Sequence, residues 1–287
     1  MIKTFNYFTQ SIFIYFFFIL GRILGVDLSR KLFSFLFLKV GPFFKSKKII
    51  SDNLLIFDKT IKEDQIDKIV SNMWKNYGMT FIEYIFLDYF KRNKSHIIIE
   101  GQENLEKIIK DKKPAIFVSG HFANYELMSM EITKMGIELA TIYRPLNNFF
   151  LNPFMEYLRK KYVCGNQIKK GINGVRETIE FINKGVSIAL MVDQRVSEGP
   201  RINFFNDGAH TTTLPAQLSS RFDCDIVPIY ISRIQDDRFE MEILDPISIS
   251  ESEKKNKELI TKKINTVIED LILRDPSQWI LTHNRWK

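Results

Sequence analysis

From position 97 onward, short β-branched apolar runs alternate with amphipathic stretches, and that alternation leaves the chain few architectures. The apolar runs are Ile97–Glu100, Ala115–Ser119, Leu139–Tyr143, Val186–Val192, Ile226–Ile231 and Phe239–Ile243. Helical periodicity fills most of the gaps, over Glu103–Lys110, Asn124–Met135, Asn152–Tyr162, Ile172–Asn183 and Thr213–Arg221. Strands separated by helical crossovers predict an α/β fold with a mostly parallel sheet covered by helices on both faces. Asp64–Lys91 predicts a long helix ahead of this region, with Trp74, Tyr77, Phe81 and Ile85 at helical spacing. A last helix is expected over Glu253–Leu273. No repeat, low-complexity tract or long linker interrupts the 287 residues, so one α/β domain over 51–287 is the expectation.

Residues 1–50 read differently, as a hydrophobic membrane-anchoring helical segment. Phe5–Leu24 is predominantly apolar, and Ile12–Leu20 is an unbroken run of nine. Twenty residues of helix reach about 30 Å, the thickness of a bilayer's hydrocarbon core. Leu32–Phe44 is apolar and aromatic but broken by Lys39 and Pro42, which favours an interfacial helix. No small-residue cleavage site follows the first run, so it does not read as a signal peptide. Arg22, Arg30, Lys31, Lys39, Lys45, Lys47 and Lys48 follow, against Asp27 alone. In a spanning helix this bias places the rest of the protein in the cytoplasm. On a surface helix it predicts attraction to anionic lipid of up to about 1 kcal/mol per charge.

The whole chain has 41 basic and 34 acidic residues, a net charge of +7, which suits anionic partners such as lipid headgroups, phosphorylated glycolipids or an acidic carrier protein. Nucleic acid is not expected, because no zinc spacing, helix-turn-helix or RNA-binding aromatic block is present. The two cysteines, Cys164 and Cys224, fit a reducing compartment and read as ordinary core thiols.

Chemistry concentrates in Ser119-Gly120-His121-Phe122-Ala123-Asn124-Tyr125-Glu126. It follows the Ala115–Val118 run and precedes a helix, so His121 is expected on a tight turn and Glu126 in the helix's first turn. Five positions on a continuous helix rotate a side chain by roughly 500°, about 140° off its starting face. The two side chains can meet only if His121 lies outside the helix, with Asn124 as N-cap. A carboxylate bonded to one imidazole nitrogen fixes the tautomer and leaves the other free to take a proton. This is the expected general-base pair, although a first-turn Glu is also favoured by the helix dipole alone. No G-x-S-x-G elbow is present, and Ser119 adjoins the histidine too closely for a nucleophile–base pair. The His121–Glu126 spacing lacks the H-E-x-x-H metal pattern, so no metal site is expected.

The spacing resembles the H-x-x-x-x-D/E signature of glycerolipid-type acyltransferases, and Gly120–Glu126 is similar to the G-H-F-G-N-W-E of bacterial lipid A late acyltransferases, with Ala123 and Tyr125 as mild departures. Further blocks resemble that family in its order: Tyr143-Arg144-Pro145-Leu146-Asn147-Asn148; Asp193-Gln194; Phe204–Thr211, with Asn206 at a glycine position; and Trp279–Lys287. The resemblance implies an O-acyltransferase that moves a fatty acyl chain from acyl carrier protein, with no cofactor, to a hydroxyl of a lipid A precursor at the cytoplasmic face of the inner membrane. Another glycolipid or phospholipid acceptor, or an inactive scaffold of the same fold, are the alternatives. It makes His121 the base and Glu126 its partner. Arg144, Asn124, Asp193 and Gln194 become candidates for holding substrate, phosphate or the oxyanion, with Asp193 and Gln194 bracing Arg144 or binding the acceptor sugar. Thr211, His283 and Arg285 are supporting candidates.

Overall fold

The computed structural model describes residues 2–45, 47–205, 207–235 and 238–286; Asn206 and Lys287, both within the blocks above, lie outside the described residues. Its strands are β1 (Ile97–Glu100), β2 (Ile116–Ser119), β3 (Leu139–Tyr143), β4 (Asn166–Lys169), β5 (Ser187–Met191), β6 (Arg201–Phe204), β7 (Asp207–His210), β8 (Ile226–Arg233) and β9 (Phe239–Ile243). Seven of them form one sheet in the order β1-β9-β8-β2-β5-β3-β4. The run from β8 to β4 is parallel, as expected, and β9 turns back antiparallel to β8 with β1 parallel beside it. The central strands β2 and β5 are nearly or wholly buried, which is why their sequences read as continuous apolar runs. Edge strand β4 escapes that signal because Asn-Gln-Ile-Lys has a single apolar residue. The β6–β7 hairpin was likewise not expected; only alternate residues of β6 face inward.

The helices are α1 (Ile2–Leu24), α2 (Val26–Phe44), α3 (Lys47–Phe57), α4 (Glu63–Glu83), α5 (Leu87–Arg92), α6 (Gln102–Asp111), α7 (Glu126–Lys134), α8 (Asn152–Leu158), α9 (Ile172–Asn183), α10 (Leu214–Phe222) and α11 (Lys257–Arg274). The helix expected over Asp64–Lys91 is broken by a tight 3-10 turn at Tyr84–Phe86. Helix α8 runs on into a π-turn, Arg159–Val163.

α1 is long and apolar enough to cross a membrane, and only 17% of its most apolar window is buried. Gly25, at φ 77°, turns the chain sharply into α2. α2 is continuous, with Pro42 tolerated in its last turn, and its inner face belongs to the core. Phe33 is buried, and Gly78 of α4 lies so close to the Phe33 carbonyl that a Cβ there would stand 2.1 Å from the oxygen. Buried Arg30 donates to Glu83 at 2.7 Å, tying α2 to the end of α4. The N-terminal helices therefore form a layer packed on the catalytic region.

Candidate active site

Strand register brings the imidazole to its partner. Ser119, the last residue of β2, pairs with Met191 of β5, and the Val192 amide donates to the Ser119 carbonyl at 2.9 Å. Two residues further along both chains, His121 and Asp193 leave the carboxyl ends of adjacent parallel strands side by side, where sites of open α/β sheets gather. Asp193 Oδ1 lies 2.7 Å from His121 Nδ1, while its Oδ2 accepts from the His121 amide at 2.9 Å and from Trp279 Nε1 at 2.7 Å. Burial pushes the Asp193 carboxyl up, but the adjacent His121 and these hydrogen bonds outweigh it and hold the group below its ordinary value. Nδ1 must carry a proton to meet this carboxylate, which leaves Nε2 with a free lone pair. The Gln194 amide nitrogen is 3.4 Å from Nε2, and the Tyr125 ring packs edge-on at 4.7 Å between centroids.

The expected partner of His121 was Glu126, and here the structure corrects the sequence reading. His121 does lie outside the helix, because α7 begins at Glu126. However, Ala123 takes a left-handed conformation, φ 40°, and the turn points the two side chains to different neighbours. Glu126 Oε1 accepts from Arg159 Nε at 2.8 Å and Nη2 at 2.5 Å, and from the Tyr84 hydroxyl. Burial and the carboxylate raise the Tyr84 hydroxyl well above its ordinary value. Burial opposes the charge on Arg159, but Glu126 outweighs it and raises the guanidinium further, so it stays cationic. Arg159 lies within a stretch of plain helical periodicity and carries no motif; a buried carboxylate requiring a cation is the signal that demands it.

Asn124 is not an N-cap either. Its amide donates to Glu83 at 2.9 Å, and Glu83 is gripped by Arg30 and by both Arg233 Nη atoms, at 2.6 and 3.0 Å. Burial penalises the Glu83 charge, yet the two arginines hold its carboxyl below the ordinary range. Neither Glu83 nor its arginines carried a motif. Asp193 does not brace Arg144: its oxygens are taken up by His121 and Trp279.

His121 and Glu126 line one cavity of about 340 Å³, together with Arg144, Arg159, Gln194 and Arg195. Its apolar lining includes Met128, Ile142, Val163, Ala189 and Leu214. Arg144 is exposed, as is Lys170, which also lines the cavity. The Arg195 Nε atom is buried without a hydrogen-bond partner. His283 lines the same cavity, and burial lowers its imidazole below the ordinary value. Thr211 and Arg285 act at one remove: Arg285 donates to the Thr211 hydroxyl at 2.7 Å and to the His210 carbonyl at 2.6 Å, locking the chain's end to the hairpin. Ser119 points away, donating to the Ile229 carbonyl at 2.7 Å. Both cysteines are buried, and desolvation pushes their thiols up, Cys224 to about 11.

A polarised imidazole beside a partly apolar cavity with cations at its wall suits proton removal from a hydroxyl near an acyl chain and an anionic group. The comparisons point the same way. "Lipid A biosynthesis acyltransferase 2" of Shigella flexneri is 21% identical over 276 residues, covering 92% of this chain and 86% of its own. "Lipid A biosynthesis palmitoleoyltransferase" of Escherichia coli (strain K12) is 23% identical over 275 residues, covering 92% and 88%. The profile of the bacterial lipid A biosynthesis acyltransferases matches residues 2–287, and the chain belongs to that family of acyltransferases.

Proposed function

We propose that this acyltransferase moves a fatty acyl group from the thioester of acyl carrier protein to a hydroxyl of a lipid A precursor, at the cytoplasmic face of the inner membrane. The observation that carries the mechanism is the His121–Asp193 pair, with Nε2 left for the cavity that His121 lines. Nε2 takes the proton of the acceptor hydroxyl as its oxygen attacks the thioester carbonyl. The new C–O bond forms, the C–S bond breaks, and the departing thiolate recovers the proton from the imidazolium. Asp193 keeps Nδ1 protonated and stabilises the transient positive ring. No covalent acyl-enzyme is needed.

Glu126 serves a second function in the same wall, as the anchor of Arg159. That partly buried cation lines the same cavity as His121 and favours charge developing on the carbonyl oxygen. The Gln194 amide is a further donor on the same side. Arg144, Lys170 and Arg195 give the cavity a positive border suited to the phosphates of a glycolipid or a carrier's prosthetic arm. The name of the Escherichia coli relative supports a long-chain acyl donor.

The test is transfer of a labelled acyl chain from carrier protein to purified lipid A precursor, paired with mass spectrometry of glycolipids from cells with and without the gene. One acyl mass should disappear from lipid A without the gene. Loss of acyl mass from a different lipid class would reject the acceptor, and transfer by a folded His121→Ala variant would reject the mechanism.

A further inference from the structure

α1 has two unlike faces. At about 100° of rotation per residue, Phe5, Ile12, Phe13, Phe16, Ile19 and Ile23 fall within a sector of about 120°. All six are more than half exposed. Lys3 and Arg22 lie outside this sector. Thr9, a polar residue within it, folds its hydroxyl onto the Phe5 carbonyl at 3.0 Å. An unbroken apolar face of this size calls for a partner.

The opposite face is fastened to the catalytic region along most of its length. The Asn148 amide donates to the Tyr7 carbonyl at 2.9 Å, and its oxygen accepts from the Ser11 hydroxyl at 3.1 Å. The Tyr15 hydroxyl donates to the Phe150 carbonyl at 2.9 Å, and Arg22 pairs with Asp88 at 2.7 Å. Tyr7 to Arg22 is about 22 Å of helical rise, most of a bilayer's hydrocarbon thickness. If α1 stood across the membrane, the irregular chain around Asn148 or the Asp88 region would be carried into the bilayer. Irregular backbone and unpaired polar groups are not tolerated against lipid.

We propose that α1 lies in the plane of the membrane and sinks its apolar sector into one leaflet of an anionic phospholipid bilayer, without crossing it. The charges agree with that occupant: among residues 1–45, Lys3, Lys31, Lys39 and Lys45 are exposed, against Asp27 alone. An apolar hollow of about 580 Å³ between α1 and α8, lined by Tyr15, Ile19, Ile23, Phe154 and Leu158, has room for a lipid chain on the same helix. The arrangement also couples membrane to catalysis. Asn148, which grips α1, belongs to the same short segment as Arg144 and Leu146 on the cavity wall, so seating α1 fixes that wall near the lipid surface. This deepens the functional reading above and rests on its membrane setting.

Single cysteines replacing Phe5, Ile12 and Ile19 in the full chain, each carrying a nitroxide, measure depth in vesicles of phosphatidylethanolamine and phosphatidylglycerol. The three labels should report one shallow depth, and a Lys3→Cys label should react with an impermeant maleimide from the side of protein addition. Depths that pass through the bilayer centre between positions 5 and 19, with Lys3→Cys protected, would overturn the proposal. So would failure to bind vesicles, or labels immobilised in a dimer that forms without lipid. Phe13→Ser/Phe16→Ser should lower vesicle partitioning by about tenfold or more, while transfer to a detergent-dispersed acceptor stays unchanged. In-plane labels with no acyl transfer would leave this proposal standing and remove the functional reading instead.

Discussion

Two buried carboxylates serve the same cavity, Glu126 from its wall and Asp193 from behind His121, and they do different work. On the β2/β5 wall, Asp193 meets an imidazole, a backbone amide and an indole, and leaves the imidazole one free nitrogen. On the α7 wall, Glu126 meets a guanidinium and a phenol, both permanent donors under ordinary conditions. A carboxylate bound to a titratable ring makes a base; one bound to arginine makes a fixed ion pair. Carboxyl type and sequence distance from the histidine do not decide between these roles. The element each residue sits on does.

The comparison breaks most directly at His121. His121→Ala should lower acyl transfer by about 100- to 10,000-fold, with melting unchanged, because the acceptor hydroxyl loses its positioned base. Asp193→Asn is expected to come close behind, at about a thousandfold, since a neutral amide no longer enforces the Nδ1–H tautomer. Its signature is the pH profile. Asp193 is held below its ordinary value, so its stabilising charge is present above the usual carboxylate range and is lost only as pH falls through that depressed value. Loss of the Asp193 charge should therefore contribute nothing to the wild-type profile until pH falls below the usual carboxylate range. A wild-type profile in Asp193→Asn would assign the orienting role elsewhere.

Glu126→Gln sharpens the contrast. It should damage the wall rather than the base, leaving the largely desolvated Arg159 with a neutral partner at a cost of about 2 kcal/mol or more in stability. Thermal melting should record that loss, and residual activity should keep the wild-type pH dependence. A shifted pH profile with normal melting would return Glu126 to the histidine. Arg144→Lys, at the exposed border, should cost less than tenfold or so, chiefly in KM, because a point charge replaces a phosphate-matching fork. The smallest effect is expected from Ala123→Gly. Relieving a left-handed alanine is worth about 1 kcal/mol at most after the glycine's extra chain entropy is counted. A small rise in melting temperature with unchanged kinetics would confirm that the turn geometry is already correct in the natural chain.

The strand runs were legible because central parallel strands are buried on both faces, and continuous apolar sequence is the direct consequence. β3 and β9 match their expected limits, Leu139–Tyr143 and Phe239–Ile243. β4 was illegible because a polar edge strand has no such constraint, and the split at Tyr84–Phe86 because a buried helix break keeps helical spacing on either side. The motif blocks also proved to be partners of one another: Trp279 holds Asp193, and Arg285 holds Thr211. Local sequence contains each block but not their meeting.

By itself, then, the sequence determined the parallel α/β sheet, the apolar N-terminal helix, the family and the histidine on a turn at a strand's end. The first two and the last follow from periodicity, length and local spacing, and the family from the resemblance of its motif blocks, all of them properties of contiguous residues. Only the tertiary structure decided that Asp193 and not Glu126 meets His121, that Arg159 is the cation paired with Glu126, and that Asn124 serves Glu83. Each depends on strand register or on a side chain approaching from more than 30 positions away, where the cost of burying an unpaired charge selects the partner and sequence separation has no influence.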